Sequence, residues 1–432
     1  MKKKRNIIVL VSLLILSCMN GMSSFASEIK KDSTDDSVKT EVIVAPGEDE
    51  PLRDNPETIP GQWIYNNTVG KWWYRHTDGT YTSNDWEYIN GKWYHFDSAG
   101  WMQTGWLYVG GKWYYLNPST GAMVTGWRQI SNNVGSYWYF FKPSGQMVTG
   151  WNEVLGYTYF FNSLGQLQDT TRRAIIVGNP TDMTNQDVSA WNKCFLHLSF
   201  KGNTISPSQI RTGCNITYSQ FCTYVREIMS EAKESDITYI CLTCENPEGT
   251  SNDRIVLFAN GDYLTGQSLR SLLEQYAGRV VIFLDCDHSG TIINRSESYD
   301  ERISVTRLED NFISAFADDN RSGELVNSKY FVLCSCSSNG DSYHNGLPDG
   351  TFYWYANKYW MLGGGWDRLN DCSATLYADS SNPMDNIVSL HELYTYSHNA
   401  LLNDQDMNDA AVSQNIVVYP KNSNFTIFSK TN

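Results

Sequence analysis

The sequence predicts a multidomain protein: a solenoid of short β-hairpins over residues 61–170, then an α/β domain over 171–432 whose mainly parallel sheet is covered by helices on both faces. Three observations lead there. At 432 residues the chain is too long for one ordinary core. Trp86, Trp106, Trp127 and Trp151 recur 20, 21 and 24 residues apart, in a chain that is 14% aromatic with 15 Trp and 27 Tyr. Beyond residue 170, uniformly apolar runs alternate with segments of helical pattern.

The chain opens MKKKRNIIVLVSLLILSCMNGMSSFASEIK, with a basic start, an apolar run from Ile7 to Leu16 and small residues at Ser24 and Ala26. That run is well short of the ~20 residues a membrane span needs, so residues 1–26 read as a cleaved secretory signal. Lipid attachment at Cys18 is the alternative, but Leu16 and Ser17 make a poor lipobox. Residues 27–60, rich in Asp, Glu, Lys, Ser and Pro, hold too little apolar surface to order themselves and read as an acidic linker. No membrane span is expected after signal cleavage. The net charge of -14, from 33 basic and 47 acidic residues, argues against a nucleic-acid partner, whose binding is driven by phosphate neutralisation.

From Gly61 the aromatics concentrate. The runs KWYHF, KWYYL and YWYFF lie between the repeated Trp residues, each followed by a turn glycine, at Gly100, Gly121 and Gly145. Aromatic-rich strands joined by glycine turns predict one hairpin per repeat. A lone hairpin is marginal in water, so the units are expected to stack on one another.

On these motifs the segment, roughly residues 61–168, resembles the cell-wall-binding repeats of Gram-positive surface proteins, of the choline-binding and glucan-binding type; TGWLYVGGKWYYLNPSTGAMVTGW matches the repeat along its whole length. In choline-binding members, two Trp of one repeat and an aromatic of the next cage a quaternary ammonium by cation–π attraction. By position the resemblance implies three cages: Trp86, Trp93 and Tyr115; Trp106, Trp113 and Phe140; Trp127, Trp138 and Phe160. The last falls in a weaker repeat where Thr158 replaces the Trp. The alternative is that the rings only pack the repeats. The implied partner is a cell-wall polymer, choline-bearing teichoic acid or glucan, and the implied location is secreted, at the wall and surface of a Gram-positive bacterium.

In the second part, RRAIIVGN, ESDITYICLTC, GRVVIFLDCD and SKYFVLCSCS read as buried strands, and TYSQFCTYVREIMSEA and TGQSLRSLLEQYA as helices between them. Function in such sheets sits at the carboxyl ends of the strands, where LDCDHSG falls. The order of AIIVGN, SDITYICLT, GDYLTGQSLRSLL, VVIFLDCDHSG and VVYPKNSNFTIF resembles the caspase-like cysteine peptidases, the group of metacaspases, legumain and clostripain, across residues 172–430. In that family one strand ends in Ser-Gly-His-Gly with the basic His, and the next in Asp-Ser-Cys-His-Ser-Gly with the nucleophile. Here the two dyad positions hold Glu245 and Asp287. A carboxylate supplies no thiolate, and Glu, at an ordinary pKa of about 4.3, is a poor base for a thiol of about 8.5. The fallback residues are Cys286, which strand alternation sets on the opposite face, and His288, which matches a family His that is not the base. A more distant His344 completes the set.

Neither a cofactor nor a metal is implied. ADSSNPMDNIVSLHELYTY resembles a calcium loop of bacterial relatives, with Asp385, Ser389 and Glu392 matching, but Asn386 replaces the turn glycine and Pro383 a ligand, so a plain loop before a helix is the reading. Of ten Cys, all but Cys18 lie beyond residue 190; Cys241 and Cys244 form C-x-x-C, Cys334 and Cys336 C-x-C, and buried thiols are the simplest reading for them. Three functions stand. The first is a wall-attached protein whose caspase-like domain is a non-catalytic module for a peptide or protein partner. The second is a wall-targeted cysteine peptidase with a rearranged site at Cys286. The third is a carboxylate- or metal-dependent hydrolase built from Glu245, Asp285, Asp287 and His288. The domain from Thr171 to Asn432 is expected to fold alone and not to cleave peptides.

Overall fold

The structure, a computed structural model, describes residues 57–179, 188–189, 191–193, 195–196, 199–200, 203–245, 255–256, 258–287, 329–334, 387–395, 417–420 and 423–429. The signal segment, Cys18, His288, His344, Cys336, Pro383, Asp385 and Asn386 lie outside the described residues. Two compact units are present. One holds the described residues up to Gly150 with Phe161–Leu167; the other holds Trp151–Phe160 and the described residues from Gln168 onward.

The first unit is built from antiparallel hairpins: Gly61–Asn66 with Lys71–His76, Asp85–Ile89 with Lys92–Phe96, Gly105–Val109 with Lys112–Leu116, and Gly126–Ser131 with Ser136–Phe141. The turn chemistry explains two of them. Asn90 and Gly91 between paired Ile89 and Lys92 have φ of 49° and 84°, and Gly110 and Gly111 between Val109 and Lys112 have 58° and 76°. Two successive positive φ values are what a two-residue hairpin turn requires. The first hairpin belongs to the same series, although the Trp spacing that starts at Trp86 leaves it out. Its register sets Trp63 opposite Tyr74 and Tyr65 opposite Trp72, as Trp86 faces His95 and Tyr88 faces Trp93.

Consecutive hairpins are joined by a recurrent device. Met102, Met123 and Met147 bridge antiparallel to Phe96, Leu116 and Phe141. Their backbone N–H groups donate to the carbonyls of Trp72, Trp93 and Trp113 of the preceding hairpin, each at 2.8 Å. Each methionine side chain then lies where a Cβ on the following turn glycine would stand, Met102 against Gly121 and Met123 against Gly145. Small cores form in the stack: Tyr74, Ile89 and Phe96, then Leu107, Tyr114 and Leu116, then Tyr115, Ile130, Tyr139 and Phe141. A buried polar clip ties the first two hairpins, His76 Nε2 lying 2.9 Å from Glu87 Oε1 and Nδ1 2.7 Å from Thr80 Oγ1.

The second unit centres on a six-stranded sheet in the order Ile210–Cys214, Arg172–Gly178, Ile237–Glu245, Arg279–Asp287, Tyr330–Cys334, Val417–Tyr419. The first five strands are parallel and the last is antiparallel. The four expected strands fall on the four central places, while the edge strand IRTGC, with its glycine and polar residues, carries no apolar run to announce it. Both faces are packed, which is why these strands are apolar at successive positions. Ile175, Val177, Ile240, Leu242, Ile282 and Leu284 meet the helices Tyr218–Met229 and Gly266–Leu273. Ala174, Ile176, Tyr239, Cys241, Val281 and Phe283 meet Trp191, Phe195, Leu390, Leu393 and Phe425. Both helices start at a threonine cap, Thr217 and Thr265, each accepting from the backbone three residues on.

Trp151–Phe160 of the last repeat group with the second unit. Trp151 and Phe160 are buried in the core of the second unit, 5.3 Å apart, and Trp151 lies 5.5 Å edge-on to Phe425. Its indole N–H donates to the Glu234 carbonyl at 3.1 Å. Ser389 and Glu392 of the calcium-like loop form a helix capping box: Ser389 N–H and Oγ donate to Glu392 Oε2 at 2.9 and 3.0 Å, and Glu392 N–H returns to Ser389 Oγ at 3.2 Å. Cys241 is buried in the sheet core. No helix among the described residues is long and apolar enough to cross a membrane.

Candidate functional site

Each of the first three hairpins presents four ring-bearing residues on one face, and the fourth three, with Gln129 in the remaining place, because residues two apart on a strand share a side and the register pairs them across the hairpin. In the third hairpin these are Trp106 opposite Tyr115 and Tyr108 opposite Trp113. Trp106 and Trp113 stand 6.1 Å apart at 88°, and in the fourth hairpin Trp127 and Trp138 stand 6.4 Å apart at 82°. Two near-perpendicular indoles form two adjoining walls against which a compact cation meets ring faces. In the second hairpin Trp93 pairs with Tyr88 at 5.3 Å, and Trp86 with His95 at 4.9 Å.

Direct ring contact between consecutive repeats is made by residues adjacent in sequence to the third ring named for each cage. Trp86 meets Tyr114, Trp106 meets Tyr139 and Phe141, and Trp127 meets Phe161, at 5.0, 5.0, 6.0 and 5.7 Å. Tyr115, Phe140 and Phe160 instead lie against Trp106, Trp127 and Trp151 of their own hairpins, at 5.0, 5.3 and 5.3 Å. Strand alternation is the reason. Neighbours in KWYYL point to opposite faces, so a one-residue offset exchanges a ring that crosses its own hairpin for one that packs on the previous unit.

Exposure grades the sites. Trp93 is 8% exposed, whereas Trp72 and Trp138 are 43% and 45% exposed and offer open ring surface. The first hairpin adds a pair absent from the sequence reading, Tyr65 and Trp72, 5.0 Å apart with both rings exposed. The phenols are neutral: burial pushes Tyr94, Tyr114 and Tyr115 up, the last opposed by Arg128. Burial pushes the His95 imidazole down, against the hydrogen bond that its Nδ1–H donates to Gln103 Oε1 and the charges of Asp85 and Asp97.

In the second unit the parallel ladder between Ile237–Glu245 and Arg279–Asp287 runs to its last residues, pairing Thr243 with Asp285, Cys244 with Cys286 and Glu245 with Asp287. Glu245 and Asp287 are thus direct neighbours at the carboxyl edge of the sheet. Position 286 falls on the opposite strand face from 285 and 287.

Comparison with known proteins agrees with the repeats. Residues 83–126 match the choline-binding repeat family, and residues 125–147 the cell wall binding repeat family. No curated protein matches. Among solved structures, choline binding protein F from Streptococcus pneumoniae is 40% identical over 25% of this chain and 35% of its own, with a TM-score of 0.23. The multimodular pneumococcal cell wall endolysin from phage Cp-1, solved with choline, is 38% identical over 28% of this chain and 40% of its own, with a TM-score of 0.19. The chain thus spans less than half the length of these relatives. It carries choline-binding, cell-wall-binding repeats.

Proposed function

We propose that this chain is a secreted, cell-wall-associated protein that holds choline-bearing wall polymer through its aromatic hairpins and carries a caspase-like α/β unit without peptidase activity. The observation that carries the binding half is the perpendicular Trp106–Trp113 pair inside the segment that matches the choline-binding repeat. An aromatic corner suits a quaternary ammonium, whose charge is spread over methyl groups and cannot donate a hydrogen bond. Several weak sites along one polymer then act together through effective concentration. The test is retention of the full chain on choline-bearing walls, with release by free choline in the millimolar range; retention that choline leaves unchanged would transfer the ligand to a glucan.

The non-catalytic half rests on Glu245 and Asp287 occupying the positions of base and nucleophile on adjoining strands. Losing either member of such a pair typically disables the chemistry about as fully as losing both. The full chain is expected to leave a broad peptide library intact. Turnover that vanishes on Cys286→Ala would establish the rearranged peptidase instead.

A further inference from the structure

We infer that the first hairpin, Gly61–Asn66 with Lys71–His76, is locked onto the second by one proton shared between His76 and Glu87, and that it loosens as that proton is lost in mild alkali. The inference does not depend on what the repeats bind. The proton count follows from the hydrogen bonds. Thr80 Oγ1 donates to Asp78 Oδ1 at 2.7 Å, and Thr80 N–H donates to the same oxygen at 2.9 Å. These bonds hold the Asp78 carboxyl below the usual carboxylate range, so it is ionised and accepts. With its one hydroxyl proton committed there, Thr80 Oγ1 can only accept from His76 Nδ1, 2.7 Å away. Nδ1 therefore carries a hydrogen. The other ring nitrogen, Nε2, lies 2.9 Å from Glu87 Oε1. A neutral ring protonated at Nδ1 offers a lone pair at Nε2, and a carboxylate offers another, so this contact is a hydrogen bond only when one further proton lies between them.

Burial makes that proton matter. His76 and Glu87 are 8% and 5% exposed, and Glu87 Oε2 has no hydrogen-bond partner among the described residues, so without the proton a buried carboxylate faces a lone pair. The neighbouring titratable groups do not replace it. Tyr74, on the strand of His76 with its ring 5.8 Å away, is pushed up by burial and by the Glu87 charge, and its hydroxyl donates to the Ile59 carbonyl at 3.1 Å. Tyr94, opposite Glu87 in the second hairpin, is pushed up by burial. Asp78 adds only negative charge. The third hairpin shows that the fold does not demand a polar group here: Leu107, 9% exposed, faces Tyr114 as Glu87 faces Tyr94. A buried ion pair adds little over well-packed apolar side chains, so what Glu87 contributes that a leucine would not is dependence on the proton. Linkage gives the sign. An unfolded chain's imidazole gives up its proton at about pH 6.5 while the folded clip keeps one, so above that pH the folded junction binds more protons and its stability falls as pH rises. The effect is local because each repeat touches only its neighbours, and the hairpin released is the one whose Tyr65 and Trp72 are both exposed.

The experiment is hydrogen–deuterium exchange of the full chain between about pH 6 and about pH 8.5, corrected for the intrinsic pH dependence of amide exchange, for the unaltered protein and Glu87→Gln. In the unaltered chain, protection of the amides in Lys71–His76 is expected to fall as pH rises, by up to about tenfold per pH unit, the limit for one proton, while protection in Lys112–Leu116 stays level. Glu87→Gln keeps the side-chain shape, and its amide N–H can donate to Nε2 of the neutral ring, so the clip closes without the shared proton and the pH dependence disappears. Equal protection of Lys71–His76 at the two ends of the range in the unaltered chain overturns the inference, as does a slope that survives in Glu87→Gln. Should Glu87→Gln not fold, the unaltered chain decides: a fall confined to Lys71–His76 supports the lock, and an equal fall in Lys112–Leu116 overturns it. His95 does not mimic the effect, because its lowered folded value acts below the ordinary 6.5 and in the opposite direction.

Discussion

Thr158 and Thr426 hold each other by reciprocal hydrogen bonds: Thr158 N–H donates to Thr426 Oγ1 at 2.8 Å, and Thr426 N–H to Thr158 Oγ1 at 3.0 Å. Both are buried, at 2% and 0% exposure. Thr158 occupies the place where earlier repeats carry Trp93, Trp113 and Trp138. The substitution that weakens the last repeat as a cage is therefore the one that lets it join the sheet-centred core. An indole there could not return the hydrogen bond to Thr426. Thr158→Val should leave the Thr426 N–H buried without its acceptor and destabilise the second unit by about 1–3 kcal/mol, read in denaturant unfolding of the full chain. An unchanged midpoint would show the pair to be unimportant.

The same packing sets where the second unit can be cut. A fragment beginning at Thr171 lacks Trp151, Phe160 and Thr158, and loses with them the contacts to Phe425, Glu234 and Thr426. Truncating one buried Trp or Phe to Ala typically costs about 3–5 kcal/mol, comparable with the whole stability of many domains. A fragment from Gly150 is expected to give a cooperative thermal transition, and one from Thr171 a lower or broader one. Equal melting of the two would refute this boundary and restore the one that the sequence alone suggests.

Two Trp residues of the array separate binding from stability. Trp138 is 45% exposed, so Trp138→Ala should cost the fold little while removing one cage wall, worth about 0.5–2 kcal/mol of cation affinity. Trp106 touches Trp113, Tyr115, Tyr139 and Phe141, so Trp106→Ala should lower both choline retention and the melting temperature. Choline affinity and melting curves for the two variants, measured side by side, check the distinction; equal loss of stability in both would contradict it.

His95 should make the repeats weaken in mild acid. Burial holds its folded-state pKa below the ordinary 6.5. The unfolded chain therefore takes up a proton first, and stability present above pH 6.5 is lost as pH falls from there through the lowered folded value. Phe140 holds the equivalent position in the fourth hairpin, opposite Trp127 as His95 is opposite Trp86. His95→Phe should flatten the acid-side slope of stability against pH. A slope that persists unchanged would assign it to other groups.

The turn glycines are fixed by sulfur contact as well as by backbone. Gly145 has φ of 82°, and a Cβ there would overlap Met123 Sδ. Gly145→Ala combines left-handed strain with a displaced methionine and should destabilise the first unit by about 1–3 kcal/mol. The double variant Gly145→Ala, Met123→Ala should recover part of that if the contact matters. No recovery would leave the backbone strain as the whole cause.

The sequence by itself determined the periodic hairpins, the central strands and the two helices that cover one face, because each is written in local pattern: paired aromatics with glycine turns, continuous apolar runs, and threonine caps ahead of amphipathic stretches. Tertiary structure alone decided which ring of one repeat meets the Trp of the previous one, since alternation makes Tyr114 and Tyr115 equivalent in composition and opposite in direction. It decided that the last hairpin's Trp151 and Thr158 serve the second unit, because their partners Phe425 and Thr426 lie more than 250 residues away in sequence. And it decided the register that sets Glu245 beside Asp287, a relation between strands that no single strand's pattern contains.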